Sequence, residues 1–269
     1  MVGISFPASH FRAFRRAATL CVLALAMALQ GCVSFEDLFR QKPQPLLPAQ
    51  DLYQLGDAEM VKKNYPVARG YYQKIVERHP QSSYAPRARF LVGETYYREG
   101  NFDKAIPEFE GFLAFFPRHE IGDLAQFRLA MSYYDQLKPV EQDQALTVKA
   151  MDQLKKLVRE YPESRYASDA LAKIEICRGR LAQKELWVAT YYFDIENNPA
   201  AARQRLEGVL KDYPRTLIIP EAMYRLADLN AREGRAADAQ AMFRKLADDY
   251  SYTEWGKRAT QRLRTAATR

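Results

Sequence analysis

The chain has 269 residues, 48% hydrophobic and 27% charged, with 40 Lys and Arg against 33 Asp and Glu for a formal charge of +7. Three cysteines are too few for a disulfide framework. The basic excess is spread along the chain with no stripe of interleaved aromatics, which speaks against a nucleic-acid partner.

In chain order, the first element is a processing signal. Arg12, Arg15 and Arg16 precede an apolar run from Ala17 to Leu29 that closes on Leu29-Gln30-Gly31-Cys32. A basic start, a short apolar stretch and small residues at the cut make a secretory signal, and the run is too short for a spanning helix. The Leu-x-Gly-Cys ending resembles a bacterial lipobox, with residues 1–31 removed and Cys32 lipidated; Gln30 is unusual within it. That segment carries three arginines and no acid, so the remainder has a charge of +4. Val33 stands where Asp would signal retention at the inner membrane, so the resemblance implies the outer membrane, periplasmic face. Residues 32–48 hold the lipidated cysteine and, with Pro43, Pro45 and Pro48, an extended tether.

From Ala49 the apolar residues recur at helical spacing, and self-similarity follows. An aromatic or histidine precedes Pro at His79-Pro80, Phe116-Pro117, Tyr161-Pro162 and Tyr213-Pro214, with a degenerate copy at Tyr250-Ser251. Twelve residues before each proline, and before Ser251, stands an alanine: Ala68, Ala105, Ala150, Ala202 and Ala239. Four and seven residues further on are large apolar side chains, Tyr72/Ile75, Phe109/Phe112, Leu154/Leu157, Leu206/Val209 and Phe243/Leu246. Alanine admits a close neighbour helix, the i+4 and i+7 residues fill the gap, and proline stops the helix. Ser82, Ser164 and Thr216 are placed as N-caps of the following helices. The pattern resembles the tetratricopeptide repeat, and predicts an all-α solenoid of about five helix pairs spanning 49–255. The alanines are 37, 45, 52 and 37 residues apart. The third repeat is therefore expanded, at a polar loop over Lys138–Thr147, and so is the fourth, in a long first helix over Tyr166–Phe193. Cys177 reads as a buried small hydrophobe beside Ile174, Ile176 and Leu181, and His79 and His119 as helix-end residues with no partners for a metal.

Concave positions carried over from the repeat predict a groove from repeats 1–3 (49–160). Its named members are Tyr53, Asp57, Arg87, Phe90, Glu94, Tyr97, Arg98, Phe127 and Tyr134, rings and charges suited to an extended peptide. No G-x-S-x-G, H-E-x-x-H or phosphate-cradling glycine loop occurs, so an enzyme is not expected.

Three stretches carry a closer resemblance: Tyr161-Pro-Glu-Ser-Arg-Tyr166, Arg180-Leu-Ala-Gln-Lys-Glu-Leu-Trp-Val-Ala-Thr-Tyr-Tyr192, and Arg205-Leu-Glu-Gly running on to Asp212-Tyr-Pro214. With the lipobox and the expanded repeats they resemble the BamD/ComL family, lipoproteins of the outer-membrane β-barrel assembly machine. The resemblance implies a non-enzymatic scaffold with no cofactor beyond the lipid on Cys32. Residues 161–269 would bind the periplasmic domain of the barrel-forming subunit through Arg205 and Glu207. The N-terminal groove would bind unfolded outer-membrane precursors, a terminal carboxylate falling on Arg87 or Arg98. Other accessory lipoproteins are possible partners. The rival is a tetratricopeptide lipoprotein adaptor of another envelope system, a secretin pilotin or a peptidoglycan-enzyme adaptor.

Overall fold

The computed structural model describes residues 46–267. The expected signal, Cys32 and most of the tether lie outside the described residues. From Ala49 the chain is one unit of eleven α-helices, without strands among the described residues. They form five antiparallel pairs and a final helix. The pairs are α1 (Ala49–Val61) with α2 (Tyr65–Arg78), α3 (Ala85–Arg98) with α4 (Phe102–Phe115), and α5 (Gly122–Tyr134) with α6 (Ala145–Glu160). They continue with α7 (Ala167–Asp194) and α8 (Pro199–Asp212), then α9 (Ile219–Arg232) and α10 (Ala236–Asp249), before α11 (Glu254–Ala267). Each helix packs on its chain neighbours, and first helices also meet across pairs, α1 on α3, α3 on α5 and α9 on α11. The fold is an all-α tetratricopeptide-type solenoid.

The five repeat alanines are no more than 3% exposed, and their i+4 and i+7 partners are all buried. Each buried cluster joins a pair to the first helix of the next: Tyr72 and Ile75 with Ala85 and Ala88, then Phe109 and Phe112 with Ala125 and Leu129. Leu154 and Leu157 join Ala170 and Ile174, and Leu206 and Val209 join the larger C-terminal cluster. No pair buries its apolar face alone.

The helix ends repeat as faithfully. His79, Phe116, Tyr161, Tyr213 and Tyr250 are the C-caps of the second helices. Each backbone N–H donates to the carbonyl of the core residue four back, Ile75, Phe112, Leu157, Val209 or Leu246. Within the pairs, the residue five before each alanine turns left-handed: Lys63, Gly100, Asn197 and Gly234. The third pair lacks this turn because its connection is the expanded loop.

Three sequence expectations need correction. Ser82 and Ser164 are not N-caps: the caps are Tyr84 and Tyr166, and the serine oxygens accept the N–H of those residues at 3.2 Å, two positions on. Thr216 instead donates to Tyr213 O at 2.9 Å. Hydroxyls here close the turn leaving the previous helix, a role Ser and Thr share with capping. Ile176 is 50% exposed and does not shelter Cys177, which is buried in the α5–α6–α7 cluster. Helix α11 was not anticipated. Thr253 Oγ1 accepts the Gly256 N–H at 3.0 Å and satisfies one of its first-turn donors.

Candidate functional site

On α1, Tyr53 lies between the rings of Tyr72 and Tyr84, 5.9 and 5.2 Å away. Tyr72 is fully buried and its hydroxyl donates to Asp57 Oδ1 at 2.7 Å. Burial, then this bond, pushes the Tyr72 phenol pKa well up. Asp57 is thus the acceptor that lets a tyrosine occupy the core.

On α3, Glu94 is 4% exposed and accepts Arg98 Nε at 2.9 Å and Arg128 Nε of α5 at 2.7 Å. Two guanidinium groups share this one carboxylate, and the carboxylates of Asp57 and Asp135 lie on the same face. Arg128 also lies 4.9 Å over the Tyr97 ring, whose hydroxyl donates to Asp135. Arg87 is exposed and paired with Glu120. Tyr134 carries Lys173 of α7 over its ring at 4.8 Å.

Three of the expected groove residues, Phe90, Phe127 and Glu94, are not at the surface. Phe90 is buried against Phe109 and Phe112, with ring centroids 5.6 and 6.0 Å away. Phe127 is buried and stacked on Tyr166 at 4.8 Å and 14°. Both sit where the first helix turns from the groove to its neighbours, and a large aromatic there is taken into the core. Glu94 is buried as well and acts through its two arginines. The accessible face is therefore Tyr53, Asp57, Arg87, Tyr97, Arg98 and Tyr134, joined by Arg128 and Lys173.

In the C-terminal half, Arg205 of α8 is exposed and donates to Glu185 of α7 at 2.8 Å. Glu207 lies 3.7 Å from Arg203, which also reaches Glu233 at 2.7 Å. Two residues apart on a helix is about 200° around its axis, so Arg205 and Glu207 face different ways. Arg180 and Lys184 of α7 donate to the carbonyls of Lys138 and Glu141, pinning the expanded α5–α6 loop. Beyond them Trp187 and Tyr191 stack at 6.3 Å and 18°, about two-fifths exposed, with Lys184 over the indole at 4.5 Å.

The profile of the YfiO outer membrane lipoprotein family matches residues 46–246, from the first described residue to α10. The chain belongs to that family. A YfiO-family relative in Caulobacter vibrioides, named outer membrane protein assembly factor BamD, is 28% identical over 80% of this chain and 70% of its own length. A relative of the same name in Rickettsia prowazekii is 27% identical over 87% of this chain and 91% of its own. A solved thermophilic TPR protein of Thermus thermophilus is 20% identical, covering 82% of this chain and all of its own, at a TM-score of 0.36. The matched region holds Arg180, Glu185 and Arg205, and in space Glu185 and Arg205 are one ion pair.

Sequence reasoning missed Arg128, Lys173, Glu120 and Lys184. For Arg128 a signal existed: it stands 34 residues after Glu94, one repeat along. No helix among the described residues is long and apolar enough to cross a membrane, and no group of His, Cys, Asp and Glu there could hold a metal ion.

Proposed function

We propose that the chain is a non-enzymatic, lipid-anchored scaffold of the machine that assembles β-barrel proteins in the outer membrane. Membership of the outer membrane lipoprotein family, with relatives named as assembly factors over most of the chain, carries the reading. Lipid on Cys32 holds the solenoid at the periplasmic face of that membrane and raises the effective concentration of its partners. No other cofactor is needed.

The first-helix face of α1, α3 and α5 takes an extended precursor segment. Arg98, half exposed, offers a guanidinium for a terminal carboxylate, and Tyr97 a ring beside it. The barrel-forming subunit docks on the C-terminal half, with the Arg205–Glu185 pair at its centre; accessory lipoproteins add to this core. The test is a mild-detergent pull-down of tagged wild type beside Arg205→Glu. Recovery of a barrel-forming subunit, lost in the variant, is the expected result. Recovery in both removes Arg205 from the interface, and a secretin or murein enzyme in its place overturns the reading. Labelling with a palmitate analogue, lost in Cys32→Ser, tests the anchor.

A further inference from the structure

Between the second helices α8 and α10, over the back of α9, lies an open groove of about 670 Å³. Its floor is Ile219, Met223, Leu226 and Asn230, the i, i+4, i+7, i+11 stripe of α9, each no more than 6% exposed. Asn230 Oδ1 is buried and has no hydrogen-bond partner. The side-chain amide at the end of this stripe is left unsatisfied, where buried polar groups are otherwise paired.

The repeat supplies a control inside the same molecule. The equivalent groove, between α2 and α4 over α3, is only about 190 Å³. Counting from the helix starts Ala85 and Ile219, Arg89 stands where Met223 does and Tyr96 where Asn230 does. Arg89 fills that groove, its guanidinium 4.3 Å over the Phe115 ring, and Tyr96 is covered by Arg69 at 3.9 Å. Glu108 there corresponds to Met242, counting from Ala105 and Ala239. One architecture is plugged by its own side chains in the second pair, and in the fifth is left open, lined by two methionines and an unpartnered amide.

We propose that this groove seats an extended segment of a partner protein, about five residues long, with apolar side chains on Met223, Leu226 and Met242, a backbone amide on the Asn230 side chain and a carboxylate on Lys245. Eleven residue steps of α9 are about 16 Å, and an extended chain covers that in about five residues. Methionine adapts its shape to apolar side chains. An acyl chain would leave the Asn230 amide unanswered, whereas a peptide backbone supplies a hydrogen-bonding partner. At the rim, Arg203 and Arg235 are held by Glu233 and the exposed acid Asp238 also lines the groove, while Lys245 is exposed and has no ion-pair partner among the described residues. Glu207 shares this rim, so the groove lies on the face of α8 turned away from Arg205, and the inference does not depend on what Arg205 binds.

A photo-crosslinking phenylalanine at the exposed rim residue Ala241, in the full-length lipoprotein in its own membrane, would identify the occupant by mass spectrometry of the adduct. A synthetic peptide of the captured sequence is then titrated against the purified chain. The expected adduct is one segment with apolar residues and an acid. Its peptide should bind at least about tenfold more weakly to Asn230→Tyr and Met223→Arg, which restore the plug of the second pair, and to Lys245→Glu. Lys245 is on the surface, so that variant remains informative if a buried substitution prevents folding. An adduct with a second copy or with lipid, no adduct, or equal affinity for Lys245→Glu and wild type overturns the proposal.

Discussion

Gly93 shows how narrow the tolerances are between the helices of a pair. A Cβ there would lie 2.9 Å from Phe109 Cε1 and 3.2 Å from Glu108 Cβ, so the glycine is what lets Phe109 lie flat in the core. Gly93→Ala should cost about 1–3 kcal/mol, read as a lower urea midpoint at constant slope. Two other glycines should respond with opposite signs. Gly179, inside α7 with no atom within 4 Å of an added Cβ, should gain about 0.5–1 kcal/mol on substitution by alanine. Gly234, at φ +79°, should lose about 1–2 kcal/mol on the same change. Tyr72 adds a pH dependence. Its folded pKa is raised, so its contribution is full below the unfolded value near 10 and is lost as pH rises beyond it. Tyr72→Phe should cost about 0.5–1.5 kcal/mol at neutral pH and make the fall of the urea midpoint above pH 10 shallower. Which residues were core was legible in the sequence because alanine and its i+4 and i+7 partners recur in step. Which groove aromatics stayed at the surface was not: Phe90 and Tyr97 are both first-helix aromatics, and only the neighbouring helix decides which is covered.

At the scale of elements, the helix pairs and the expansions of the third and fourth were readable, because proline and polar runs punctuate a strong 3.6-residue period. The 28-residue α7 was visible as a stretch without a breaker. The closing helix was not, since Tyr250-Ser251 lacks the proline that marks the other boundaries and the segment after it is rich in charge. Helix α11 nevertheless packs Trp255 against Tyr224 of α9 at 5.2 Å and buries Ala259 in the C-terminal cluster. Ending the chain before Glu254 should expose Tyr224 and Phe243. Hydrogen exchange should then quicken in α9 and α10 while α1 and α2 keep their protection. Cys177 offers a second check on packing. Burial pushes its thiol up to about 11, and in the native chain at pH 8 it should resist alkylation that proceeds readily in urea.

Across the described helices, contacts fall chiefly between chain neighbours and between next-but-one first helices, so stability is approximately a sum over pairs and the interfaces between them. A substitution should therefore act most on the clusters its own helix enters. Leu154→Ala, expected to cost about 2–5 kcal/mol, should loosen α5–α7 in hydrogen exchange before it is felt in α1–α2 or α10–α11. Helix α7, like α3 and α5, enters two clusters, but over about twice their length. It gives Ala170, Ile174 and Cys177 to one cluster and Ala182, Leu186 and Ala189 to the next, with Gly179 at the seam. At 1.5 Å per residue it is about 42 Å of unbroken hydrogen-bond ladder. It is built like an axle keyed into a hub at each end. A twist applied at the C-terminal pairs has no slack joint in which to dissipate along that length, and it would arrive at α5 and α6 as a rotation.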